Sequence, residues 1–269
     1  MADSAHRGCV RTILASTWMA LFCATALGGC VGSEAMRFDT TAVRNDEAAG
    51  PDTAPLLRLA DEMKAAGDSE AASRIYERVL QDQPHMNGVR TSLGQTMLDR
   101  DDASGALKHF RAGIEQNPDI IDNYIWAGKA YLALHQPRPA RAMFEDALEK
   151  DSRSVDALNG LGVSLDSLRR HQEAQKAYVR ALAVDTKNGA VRNNYGLSLA
   201  LGGDFDRAIA ELTPLASDEG LVGLKARQNL ALAYGMKGDL VSAARYGKAD
   251  YDDEAVRNDL RVYGSIERR

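Results

Sequence analysis

The chain has 269 residues, 45% of them apolar but only 6% aromatic, which is enough for a sizeable elongated core. A formal net charge of −5 and a pI near 5.6 exclude nucleic acid as the main partner, because no basic stripe is present to displace counterions.

The first 29 residues read as a targeting segment and not as a folded element. Arg7 and Arg11 give a positive start, and Ile13 to Leu27 form an apolar run containing Trp18, Met19, Leu21 and Phe22. That run ends in Leu27-Gly28-Gly29-Cys30, which resembles the bacterial lipoprotein box. The resemblance implies cleavage before Cys30, a covalent lipid on its thiol and an acylated new amino terminus. An ordinary signal peptide or an uncleaved anchor is the alternative. Cleavage removes Cys9 and Cys23, leaves Cys30 without a disulfide partner, and leaves 31 basic against 37 acidic side chains. Each buried CH₂ of an attached chain contributes about 0.8 kcal/mol, so two or three chains hold a soluble domain on a bilayer. Val31 stands where an aspartate would otherwise follow the cysteine; by resemblance to enterobacterial lipoproteins this favours the outer membrane, on its periplasmic face. Residues 30–52 are small and polar and read as the lipidated cysteine and a tether, with a reach of about 25 Å.

From Thr53 the chain repeats. Gly94, Gly128, Gly162 and Gly196 are 34 residues apart, as are Ala106, Ala140, Ala174 and Ala208 and the set Phe110, Phe144 and Tyr178. The register reaches upstream through Ala60, Ala72, Tyr76 and Pro84. Blocks numbered from Thr53, Asn87, Ile121, Val155 and Gly189 each predict two helices that bury their apolar faces only by stacking on neighbours. Glycine at position 8 lies mid-helix, where it costs about 1 kcal/mol against alanine. The expected compensation is close approach, with position 8 facing the alanine at position 20 and the aromatic at position 24 one turn further on. Gly67-Asp68, Gly203-Asp204 and Gly238-Asp239 predict turns in which glycine ends one helix and aspartate caps the next. His135-Gln136-Pro137-Arg138-Pro139 replaces this turn in the third block, where Pro139 suits the first turn of the second helix.

The fifth block meets Pro214, which lacks a helical amide and stops or kinks the helix near Thr213; the phase then slips by one residue. A sixth unit resumes through Leu230, Ala231, Tyr234 and Ala243, with Gly247 where an aromatic is expected. An array over 53–247 and a capping helix within 248–269, carrying Val256, Leu260, Tyr263 and Ile266 on one face, complete the expected organisation.

The 34-residue pattern resembles the tetratricopeptide (TPR) repeat, on Leu93-Gly94, Ala106, Phe110 and Pro118 in one block and Tyr124, Gly128, Tyr131, Ala140, Phe144 and Ala147 in the next. The resemblance implies an all-α solenoid, a right-handed superhelix of about six helix pairs plus the capping helix. It also implies a groove lined by positions 2, 5, 9 and 12 of the first helices: Asp122, Ile125, Lys129, Asp156, Asn159, Val163, Asp166, Asn193, Leu197, Gln228 and Leu232. Side-chain amides there would bond a peptide backbone and the aliphatic residues would give apolar contact; the convex face or a terminus is the alternative. Lys129 and Lys225 are too few cations for a carboxylate clamp. Leu212-Thr213-Pro214-Leu215-Ala216, then Arg227-Gln228-Asn229-Leu230-Ala231-Leu232-Ala233, with Asp250, Val256 and Asn258, resemble the TadD-like lipoproteins of tight-adherence (Flp, type IVb) pilus assembly. That resemblance implies a pilotin-like assembly factor whose partners are a secretin or other pilus subunits. An envelope adaptor recruiting murein-processing enzymes and a regulatory subunit of an envelope enzyme complex remain open.

Nothing in the residues predicts catalysis, a metal, a further cofactor or a small-molecule substrate. His85, His109, His135 and His171 fall at different repeat positions, and neither a Gly-x-Ser-x-Gly elbow nor a phosphate-binding glycine loop occurs.

Overall fold

The computed structural model describes residues 53–250 and 253–267, with residues 253 and 264–267 described by backbone alone. The expected signal peptide, Cys30 and tether lie outside the described residues, as does the side chain of Ile266. The described residues form thirteen α-helices, one 3₁₀ turn and no strand, so the all-α solenoid expectation holds.

The helices come in antiparallel pairs. They are α1 (Thr53–Ala65) with α2 (Ser69–Asp82), α3 (Asn87–Asp99) with α4 (Ala103–Gln116), α5 (Ile121–Ala133) with α6 (Pro137–Lys150), and α7 (Val155–Ser167) with α8 (His171–Val184). Next come α9 (Gly189–Leu201) with α10 (Phe205–Leu212), and α11 (Leu221–Lys237) with α12 (Leu240–Gly247), before α13 (Asp253–Glu267). The first five pairs begin at the residues where the sequence blocks begin. The 34-residue period is therefore one of backbone as well as of side chains.

The turn inside each pair explains how the period is kept. Its left-handed residue is Gly67, Asp101, His135, Arg169 and Gly203, with φ of 83°, 60°, 56°, 62° and 88°, and then Gly238 at 93°, one residue out of phase. Glycine takes this conformation without strain, whereas a Cβ costs about 1–2 kcal/mol there. The turn expected to be replaced around His135 is thus the same turn made by another residue. The cap varies more: Asp68, Asp102, Asp204 and Asp239 accept backbone N–H bonds of 2.8–3.4 Å at their helix starts, while α6 begins on Pro137 and α8 has no side-chain cap. Arginine is the worst fitted of the six turn residues, since aspartate and histidine tolerate the left-handed region better. Arg169→Gly is expected to raise stability by about 0.5–1 kcal/mol, read as a higher urea midpoint; an unchanged or lower midpoint would show that the turn is not strained.

Between helices, one detail differs from expectation. The alanines at position 20 are fully buried at the seam, but the space left by each position-8 glycine is taken by the side chain at position 24. A Cβ on Gly94 or Gly128 would lie 2.5 or 2.7 Å from the ring of Phe110 or Phe144, and on Gly196 it would lie 2.5 Å from Leu212. On Gly162 it would run into the ring of Tyr178 in the same way. The glycines therefore serve the position-24 side chains, three rings and one leucine, and not the alanines. A helical side chain leans toward its own N-terminus, so the large residue one turn after the alanine reaches back across the pair.

At the far end Pro214 has the expected effect. Helix α10 stops after eight residues, Thr213–Leu215 form the 3₁₀ turn, and α11 lengthens to 17 residues. Arg227 ties the slip together: its guanidinium donates to Asp250 at 2.7–3.1 Å and to the carbonyls of Ala216 and Asp218 at 3.0 and 3.1 Å. Val256 of α13 lies against Gly247 and Tyr263 against Gly235, so the place of the missing aromatic is filled from the last helix.

Candidate protein-binding surface

The first helices α3, α5, α7, α9 and α11 each touch the next, so their faces form one continuous surface. Polar bonds cross the seams between α3 and α5, α7 and α9, and α9 and α11. Thr91 donates to Asn123 at 2.9 Å, Asn194 to Asn159 at 2.9 Å, Ser198 to Asp166 at 2.8 Å and Asn229 to Asn193 at 3.0 Å. These are neutral or charge-assisted bonds in half-buried or buried surroundings. Leaving one unmade would strand a polar group at about 1–3 kcal/mol.

This ladder changes what the predicted groove residues offer. Asn159 and Asn193 accept from the next repeat, and Asp166 accepts from Tyr178 at 3.0 Å, Ser198 at 2.8 Å and the His171 ring at 2.8 Å. Ile125, Val163, Asn193 and Leu232 are buried, and Leu197 packs beside Leu232 and Tyr263. Asp122 meets solvent, while Asp156, Lys129 and Gln228 are half-buried. Lys129 lies 4.0 Å above the Trp126 ring, which itself stacks on Phe110. Although Asp122 is exposed as a residue, desolvation of its carboxyl first, and then the neighbouring charge of Asp156, pushes it up from its ordinary value, and Lys129 opposes this. The surface thus combines an acidic pair, a cation on an aromatic and an apolar floor.

The same offsets in the first two repeats reveal a polar group that the sequence reading left out. Lys64 donates to Gln95 at 3.0 Å, and Tyr76 donates to Asp61 at 2.5 Å. Burial draws the Lys64 ammonium down despite Asp99 and Asp61, and burial raises Asp99. Positions 9 and 12, applied to repeats one and two, would have named Asp61, Lys64 and Gln95.

Ser198, His171 and Asp166 lie together but not as a nucleophilic triad. The serine hydroxyl donates to the carboxylate and not to the imidazole, so the serine–histidine contact of such a triad is not made. His109 is half-buried, with its pKa lowered by burial and by Arg90, while His85 and His135 are exposed. Among the described residues no group of three His, Cys, Asp or Glu side chains is placed to hold a metal, and no helix is long and apolar enough to cross a membrane.

Comparison with known proteins agrees with this geometry. A family model described as tetratricopeptide repeat matches residues 57–119, 127–174 and 164–213. An uncharacterized protein, y4yS, of Sinorhizobium fredii (strain NBRC 101917 / NGR234) is 29% identical over 121 residues, 45% of this chain and 66% of that protein. The type IV pilus assembly protein PilF of Pseudomonas aeruginosa is 33% identical over 112 residues, 39% of this chain and 44% of PilF. The chain therefore spans just under two thirds of the first relative and less than half of the second. Among solved structures, the thermophilic TPR protein TTC0263 of Thermus thermophilus shares the fold with a TM-score of 0.56 at 20% identity, over 73% of this chain and 98% of that one.

Proposed function

Because this chain belongs to the tetratricopeptide repeat family, whose members are protein-interaction scaffolds, we propose that it is a non-enzymatic assembly factor for a pilus secretion machine. Its partners are secretin or other pilus-assembly subunits, of the tight-adherence (Flp) type. The observation that carries this reading is the 33% identity to a type IV pilus assembly protein over 112 residues. The end segment around Leu212–Ala216 and Arg227–Ala233 and the Leu27-Gly28-Gly29-Cys30 box support it from the sequence side.

In this reading Cys30 carries the lipid that holds the array at the periplasmic face of the outer membrane, and the first-helix face receives the partner. Deleting the gene is expected to reduce secretin multimers in outer-membrane fractions together with surface pili. Normal secretin assembly with normal pili removes the reading. Cys30→Ser is expected to abolish palmitate incorporation and to release the protein from the membrane fraction; labelling of the variant would show that the lipid is elsewhere.

A further inference from the structure

On the side of the array formed by second helices, a cleft of about 460 Å³ opens between α6 and the turn that precedes α8. It is lined by Arg138, Arg141, Glu145 and Arg170, with the apolar side chains of Ala142 and Leu168 among them. Arg141 is paired with Glu145 at 2.8 Å and Arg170 with Glu173 at 2.6 Å. Arg138, a lining residue, and Arg169, between two lining residues, form no ion pair among the described residues. Arg141, Arg170 and Lys176 all act on Glu173, and Arg138 adds a further cation to the lining, in a chain whose net charge is −5.

Arg169 gives the cleft its second argument. It occupies the left-handed turn position that three of the six equivalent turns give to glycine, with φ of 62°. Strain held at a position where a smaller residue would relieve it points to a use for the side chain. Guanidinium groups, unlike ammonium groups, pair with carboxylates in two parallel bonds, as Arg170 at the edge of the cleft does with Glu173.

We propose that this cleft is a second protein-binding surface, apart from the first-helix face, and that it takes an acidic segment of a partner. Arg138 and Arg169 pair with its carboxylates, and an apolar side chain between them seats on Leu168 and Ala142. Apolar side chains set among arginines suit a peptide that carries both carboxylates and an apolar residue. This proposal does not depend on the pilus reading.

The test uses the full-length chain in detergent and a fluorescein-labelled peptide with the core Asp-Glu-Leu-Glu-Asp. Anisotropy is expected to show binding that weakens with salt and falls about tenfold or more in the Arg138→Ala, Arg169→Gly double variant. Arg74→Ala, at an exposed cation of the first repeat, is expected to leave it unchanged. The double variant keeps its fold, because the glycine relieves a strained turn; its urea midpoint checks this. No binding by the unaltered chain, equal binding by the double variant, or attachment to phosphatidylglycerol vesicles without peptide binding each overturns the proposal, the last in favour of a membrane-facing surface.

Discussion

Replacing Phe144 by alanine is expected to remove about 3–5 kcal/mol of stability, the largest loss from any single side chain in the array. The ring is fully buried and lies against two backbones at once. A Cβ built on Gly128 of its own repeat would stand 2.7 Å from it, and one on Gly160 of the next repeat would stand closer still. Truncation therefore opens a cavity at the junction between the third and fourth repeats, where neither helix has a side chain to fill it. In an array each repeat is stabilised by its neighbours, so the urea transition should broaden or divide, with hydrogen exchange rising first in α5, α6 and α7. Adding Gly160→Val to Phe144→Ala should restore part of the loss, because the new side chain enters the vacated space. A loss below about 1 kcal/mol for Phe144→Ala would show that the ring is not the wedge that joins the repeats.

Asp166→Ala is expected to lower stability by about 2–4 kcal/mol. The carboxylate is 13% exposed and accepts bonds from residues of the same pair and of the next repeat. Removing it leaves the buried Ser198 hydroxyl and the Tyr178 hydroxyl without that acceptor. Ser198→Ala combined with Asp166→Ala should cost less than the two changes summed, since each loses the same bond. Simple additivity in urea midpoints would sink the idea that the bond joins the repeats.

Much of the fold was legible because the physics of a stacked array is local and repeated. Spacing of small, aromatic and turn residues located the starts of the first five helix pairs, and Pro214 marked the shortened α10 because a missing amide acts where it stands. The turns at Asp101, His135 and Arg169 were illegible, since no glycine announces them and neighbouring pairs impose the conformation. The surface was less readable still. Offsets named Asn159, Asn193 and Asp166 as facing a partner, yet spacing along one helix does not say which side chain the next helix presents. Across that seam Asn194, Asn229 and Ser198 supply the other halves of the bonds.

The amino-acid order alone determined the helical period and the place where it slips, because each of these depends on residues close together in the chain. Only the tertiary structure decided that the position-8 glycines seat the large side chains at position 24, that the expected groove amides bridge repeats, and that arginines from two repeats share one cleft. Those outcomes depend on which side chains meet across helices, and that is set by how one pair is rotated onto the next.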